Sequence, residues 1–454
     1  DQSHVSRVLI EYAPQSLWQS RLQSVTVSGA EWVIDPTFKP GGESANTNQN
    51  ADETPFQLPL DRIDVIESVI IANGTRIPFE THLVSTPGRP YEFSARFVTE
   101  GEPLELSGSF DPVLTQIQAT AKSDGIDASS LVSVLALFWP QPAIVAEGAV
   151  SLDGWFSWSP RLSSFNATLE PASIWVSFPG PTPANLGWHA GVLHVEGNVR
   201  GSNAAVTINM DELAFESESA ELEMDGVAGR IALSEAFPPV TDGLQHLKID
   251  RLKKGDAIFD DGTIDFSIEQ PTVLLIQKTA WQWLDGTLSA DGIRFDPSTE
   301  SFEMTLSAQG IQLKHLLELL AEDHARGEGR FDMRLPVKVT NGRIAFGEGN
   351  ITGVGGGTIE IFDADAVADS LGIPADARDV NVKERIIEAL RDFEYDTLMG
   401  TMAPTPDRGL LTTLHVNGHG RTGARQALNF ELRFNRLEDA ILLYLGLSSR
   451  FFPN

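Results

Sequence analysis

The chain of 454 residues contains no cysteine, which excludes disulfides, zinc fingers and thiol chemistry. It is also poor in basic residues, 33 against 63 acidic. The resulting formal charge of −30 repels phosphate backbones, argues against nucleic acid as a partner and does not favour docking on anionic lipid surfaces. Long apolar runs are missing as well: the longest, Leu131 to Trp139, falls far short of the ~18 residues that span a bilayer, and Pro140 and Pro142 stop it. The sequence starts at Asp1 without Met or a signal-like stretch, so an export or anchor segment is expected upstream.

Catalytic spacings are equally scarce. There is no G-x-S-x-G elbow, no Walker loop ending in GK[ST] and no HExxH. The glycines at 353 and 355 to 357 are followed by the β-like TIEIF, whereas a dinucleotide site needs a helix N-terminus there. His415 and His419 fall on an alternating stretch, where positions four apart are ~13 Å from each other, too far to share one ion. Aspartates at Asp260-Asp261-Gly262, Asp285-Gly286 and Asp291-Gly292 suit turns, and no calcium-loop spacing accompanies them. Neither enzymatic activity nor a cofactor or metal is expected.

What the chain has in quantity is alternation. Apolar residues at 41% and charged residues at 21% are ordinary for an ordered protein, while the length exceeds the ~250 to 300 residues of a single core. Several domains or an elongated, repetitive architecture follow. Between Gly327 and Ile361, Phe331, Met333, Leu335, Val337 and Val339 alternate with polar residues, Asn341-Gly342 marks a hairpin, and Ile344 and Phe346 resume the pattern. After the glycine-rich turn, Ile359 and Ile361 begin another strand. Asn73-Gly74 marks a second hairpin, and Lys39 to Thr54 reads as a flexible surface loop. In all, roughly twenty to twenty-five strands of ~5 to 8 residues are expected, with three or four short helices. The helices are Ala128 to Phe138, capped by Asp127; Leu313 to Ala321; Val382 to Leu398, with Ile386, Leu390, Phe393 and Leu398 on one stripe; and an amphipathic end from Leu437 through Phe451-Phe452. Proline at 179 to 183 suggests a break, giving segments 1–178, with the inserted helix near 127–139, then 184–361 and 362–454.

The order of a short apolar helix from Leu313, a GEGRFDxRLPV strand, an NGR hairpin, a glycine-rich turn and a strand resembles the C-terminal part of bacterial AsmA-like proteins. It is most similar to the YdbH-type intermembrane lipid transport proteins. Asp379 to Met402 and Gly409 to Phe452 are similar to the family's closing passages. The resemblance implies a mainly β fold: an elongated, curved antiparallel sheet bent into a U-shaped hydrophobic groove, a β-taco, with a few short helices. It also implies a periplasmic, inner-membrane-anchored bridge in a Gram-negative bacterium. Such a bridge carries phospholipid between the inner and outer membranes, reaches membranes through segments outside this sequence, and meets a small outer-membrane lipoprotein at its end.

Parity then assigns an inward set: Phe331, Met333, Leu335, Ile344, Phe346, Ile359, Ile361, Phe302, Met304, Leu306, Phe266 and Ile268 are expected to line the groove. A charge at Leu335 should then block passage more than it unfolds the chain. Leu410 to Val416 and Ala427 to Phe434 should be the last strands, and the latter offers Leu428, Asn429, Phe430, Glu431, Leu432 and Phe434 as an edge to which a lipoprotein strand can add. Alternation does not by itself separate an open groove from a filled β-sandwich or β-solenoid adhesin, although the absence of a fixed repeat length disfavours a solenoid.

Overall fold

The computed structural model describes residues 4–17, 21–34, 60–72, 75–86, 89–98, 101–111, 114–136, 145–160, 162–178, 184–200, 203–236, 238–269, 273–296, 301–321, 325–340, 343–362, 380–405, 409–421 and 427–435. The alternating stretches are strands: β1 (His4–Glu11), β2 (Leu22–Ile34), β3 (Leu60–Ala72), β4 (Thr75–Val84), β5 (Tyr91–Phe97), β6 (Leu104–Asp111), β7 (Gln116–Asp127), β8 (Val145–Trp158), β9 (Ser163–Phe178), β10 (Ala184–Arg200), β11 (Asn203–Ser217) and β12 (Leu222–Ala236). They continue as β13 (Pro239–Thr241), β14 (Gln245–Lys254), β15 (Ala257–Glu269), β16 (Val273–Trp283), β17 (Gly286–Phe295), β18 (Ser301–Gln312), β19 (Ala325–Thr340), β20 (Arg343–Phe346), β21 (Gly349–Ile361), β22 (Phe393–Pro404), β23 (Leu410–Gly420) and β24 (Ala427–Asn435). Short helices stand between them: α1 (Pro14–Leu17), α2 (Ala128–Ala136), α3 (Leu313–Ala321) and α4 (Val380–Arg391). All the strands belong to one sheet, and no described helix is long and apolar enough to cross a membrane.

Two units divide the chain, Asp1–Ala220 with Asp225–Phe237, and Glu221–Met224 with Pro238–Asn454. In the first, β3 to β11 form an antiparallel ladder in chain order. β2 and β3, by contrast, run parallel. A parallel pair needs a crossover of a dozen or more residues. The chain between them has that length, and the Lys39 to Thr54 stretch lies outside the described residues. In the second unit β14 to β19 pair in order, β19 pairs with both β20 and β21, and β21 to β24 complete the ladder.

Both hairpin signals fit this ladder. Thr340 pairs with Arg343 and Ala72 with Thr75, leaving two residues for each turn; Asn341-Gly342 and Asn73-Gly74 lie outside the described residues. The strands are longer than expected, reaching 17 residues in β10. Bulges explain that length: β10 shifts register between Trp188 and Val192, which absorbs twist that would otherwise break a long ladder.

Two further expectations change. The glycines at 353 to 357 are not a turn but lie inside β21, across a register shift that opens after Thr352 and closes at Gly357. At Gly357 a side chain has no room, because a Cβ would come within 2.1 Å of the Glu328 carbonyl and 2.4 Å of the Tyr395 hydroxyl. Phe393 and Leu398 are strand residues of β22, since α4 ends at Arg391 and alternation takes over at Phe393 and Tyr395. Pro336, which cannot donate to a ladder, sits where β19 changes partner from β21 to β20 and gives its carbonyl to the Gly347 amide at 2.8 Å. The amphipathic end from Leu437 to Phe452 lies outside the described residues.

In the first unit α2 is capped as its sequence requires: Asp127 Oδ2 accepts the Ser130 amide at 2.9 Å and the Ser129 hydroxyl at 2.5 Å. Burial pushes the Asp127 carboxyl up, but these hydrogen bonds together outweigh it and hold the group below its usual range. The cap therefore contributes fully above the unfolded carboxylate value of ~3.9 and is lost as pH falls through the lowered folded value. The helix packs on β7 and β8 and also reaches β3. In a flat sheet β3 and β8 would be about 24 Å apart, five steps of ~4.8 Å, more than twice the ~10 Å width of a helix. The sheet of this unit therefore curls around α2, burying Leu104, Ile126, Val150 and Ile174 beneath it.

Candidate functional site

The register of the first unit carries apolar rows straight across the ladder. Leu83, Phe93, Gly108, Ala119, Phe156, Phe165, Gly197 and Val206 stand side by side from β4 to β11. The next row holds Ala95, Leu106, Ala121, Gly154, Ala167, Val195 and Ile208, and beyond it run Leu152, Leu169, Leu193 and Met210. Eight strands at ~4.8 Å make this strip about 34 Å wide. Glycines set its contour: a Cβ on Gly197 would lie 2.7 Å from Cζ of Phe165, so the ring lies flat across the strand.

The opposite face of the same strands is polar. One row there runs Ser94, Ser107, Thr120, Trp155, Asn166, Glu196 and Thr207, with Ser107 and Thr120 hydroxyls 2.9 Å apart. Phe93, Phe156, Phe165, Val195, Val206 and Ile208 on the apolar face are half-buried and belong to neither of the packed clusters. Leu106, Ala121, Leu152 and Leu169 of the rows pack against the cluster beneath α2, and the half-buried residues beyond it form an apolar surface of the kind that marks a binding face. These residues were legible as alternating strands but not as a site, because only the cross-strand register lines them up.

In the second unit ten of the twelve expected groove residues come together in one cluster. Phe331, Leu335, Ile359 and Ile361 are among its buried members, and Phe302, Met304, Leu306, Met333, Ile344 and Phe346 pack against it. Phe266 and Ile268 lie outside the cluster on the same ladder: Phe266 is buried, and Ile268 pairs with Leu274, which pairs with Phe295, whose ring meets Phe302 edge-on at 6.2 Å. Two helices cover one end, α3 through Leu313 and Leu317, and α4 through Ile387 and Leu390. There Phe393, Leu390 and Val416 are fully buried, so this end is filled. Leu335 is only 5% exposed, which withdraws the expectation that a charge there is tolerated.

The expected edge is β24. It pairs with β23, placing Leu428 opposite Gly418, Asn429 opposite Asn417, Phe430 opposite Val416, Glu431 opposite His415, Leu432 opposite Leu414 and Phe434 opposite Thr412. Among the described residues its other side has no strand partner. Leu428 joins the cluster, and Asn429 is exposed.

His415 and His419 face separate carboxylates, Glu431 at 3.7 Å and Glu394 at 3.8 Å. Among the described residues no group of three or more His, Cys, Asp or Glu side chains could hold a metal. His315 is held above the usual imidazole range by the carboxylates of Asp285 at 2.9 Å and Glu318 at 3.1 Å. The stability this tie gives α3 is complete below ~6.5 and fades as pH rises through the raised value.

The family model of the YdbH-like proteins, described as intermembrane phospholipid transport protein YdbH, matches residues 107–435. No curated protein and no solved structure matches the chain.

Proposed function

The chain belongs to the YdbH-like family of intermembrane phospholipid transport proteins, and from that premise we propose that it is the periplasmic part of a bridge along which phospholipid acyl chains travel on the apolar sheet face. The observation that carries this reading is the set of apolar rows across eight strands of the first unit, in which Phe93, Phe156, Phe165, Val195, Val206 and Ile208 are half-buried outside the packed clusters and backed by a polar face. At ~0.8 kcal/mol per buried CH2, such a surface offsets much of the cost of taking an acyl chain out of a bilayer. No single tight site is needed, so chains can slide. In the second unit, taken by itself, the proposed groove is lined by Phe302, Met304, Leu306, Met333, Ile344, Phe346 and Ile268, together with the more buried Phe331, Leu335, Ile359, Ile361 and Phe266. A segment outside this sequence anchors the bridge in the inner membrane, and a small outer-membrane lipoprotein adds a strand to the edge of β24.

A filled core is the competing reading for the helix-covered end of the second unit, favoured by the complete burial of Leu390, Phe393 and Val416. Photo-crosslinking in cells separates the two. Crosslinkers at Met333 and Phe346 are expected to capture phospholipid, and ones at Asp332 and Arg334, which alternate with that face, are not. One at Asn429 should capture a small lipoprotein. Equal lipid labelling at both parities counts against the groove, and no protein adduct at Asn429 counts against strand addition.

A further inference from the structure

A cavity of about 530 Å³ opens in the second unit between α3, the start of β19, the end of β21 and the turn into β22. Its size lies within the ~300 to 1,000 Å³ of small-molecule sites. Leu317 and Ile359, both part of the apolar cluster, contribute to its lining alongside three basic and four acidic residues. Two of the cations are committed within the lining itself: Arg421 donates to Asp392 at 2.8 Å, and Lys314 lies 3.9 Å from Glu318.

Arg326 is placed differently. Its cross-strand neighbour is Glu360, yet its guanidinium stands 5.2 Å over the Phe362 ring, and among the described residues no carboxylate forms an ion pair with it. Among the described residues the cavity thus offers, in Arg326, a cation without a carboxylate partner beside two carboxylates, Glu328 and Glu360. An anion alone would meet the acidic lining, and a purely cationic group would meet Arg326. A molecule carrying both signs a few ångströms apart satisfies both.

We propose that this cavity takes the zwitterionic head group of a phospholipid, its phosphate on Arg326 and its ammonium on Glu328 and Glu360. The assignment rests on the lipid-carrying reading above and extends it to head-group choice along an otherwise unselective face. Phosphate is chemistry shared by a lipid head group and a free phosphoamine, so the test must separate them.

The full chain and its Arg326→Gln and Glu360→Gln variants are incubated with vesicles of equal parts phosphatidylethanolamine and phosphatidylglycerol, re-isolated, and their retained lipid is quantified by mass spectrometry. In parallel, free phosphoethanolamine and inorganic phosphate are titrated by NMR. Wild type should favour phosphatidylethanolamine by about tenfold, the worth of one charge-assisted hydrogen bond, and both variants should lose the preference with melting temperatures unchanged. Equal preference in wild type and variants overturns the site. If wild type retains neither lipid but phosphoethanolamine binds in an Arg326-dependent manner, the cavity stands as a phosphoamine site and the lipid reading fails. Inorganic phosphate binding as tightly as phosphoethanolamine overturns the zwitterionic assignment.

Discussion

Leu335→Asp is expected to unfold the second unit. Leu335 pairs with Leu306 across the ladder, is 5% exposed and stands among Val337, Ile351 and Met402 in the packed cluster. Removing its side chain alone would cost about 2 to 5 kcal/mol, and a carboxylate left unpaired in that place adds several more unless it takes up a proton. The sum approaches the whole of a domain's ~5 to 15 kcal/mol stability. Urea unfolding followed by circular dichroism should show this unit's transition displaced to much lower denaturant or lost. A wild-type midpoint would mean that the face is open to water at Leu335 after all.

Ile208→Asp should behave in the opposite way. Ile208 lies in the open rows of the first unit, next to Val195, half-buried and outside both packed clusters. A charge there keeps contact with water, so destabilisation of about 1 kcal/mol is expected, within the ordinary range for a point substitution. Acyl chains, however, would have to pass the carboxylate, and retained phospholipid per purified chain should fall at least about tenfold. Unfolding without a specific loss of lipid would place Ile208 in a closed core instead.

The contrast between these two positions marks the limit of what the sequence reveals. In β18, in β19 from Phe331 on and at the end of β21 large apolar residues alternate, so parity alone brings Phe302, Met304, Leu306, Phe331, Met333, Leu335, Ile359 and Ile361 into one cluster. Parity does not say whether that face is covered. Leu313 and Leu317 of α3, and Ile387 and Leu390 of α4, cover it here, and the docking of short helices is a tertiary event with no local signal. The rows of the first unit were hidden for another reason. Gly108, Gly154 and Gly197 stand in them beside Ala119, Ala121 and Ala167, so individual strands look weakly apolar, and the strip emerges only when eight registers align. Phe393 and Leu398 were misplaced on a helix because Ile386, Leu390 and Phe393 keep helical spacing, while the register shift between Tyr395 and Thr397 interrupts the period-two pattern that would have corrected it.

The absence of cysteine allows the central claim to be tested one side chain at a time. Val195 and Glu196 are consecutive in β10, the first half-buried on the apolar face and the second exposed on the polar one. A single cysteine at either position can carry a bimane fluorophore, and phospholipid brominated on its acyl chains quenches only a fluorophore that it touches. Strong quenching is expected at position 195 and little at 196; equal quenching at both, or none at 195, would rule out an apolar face that carries lipid.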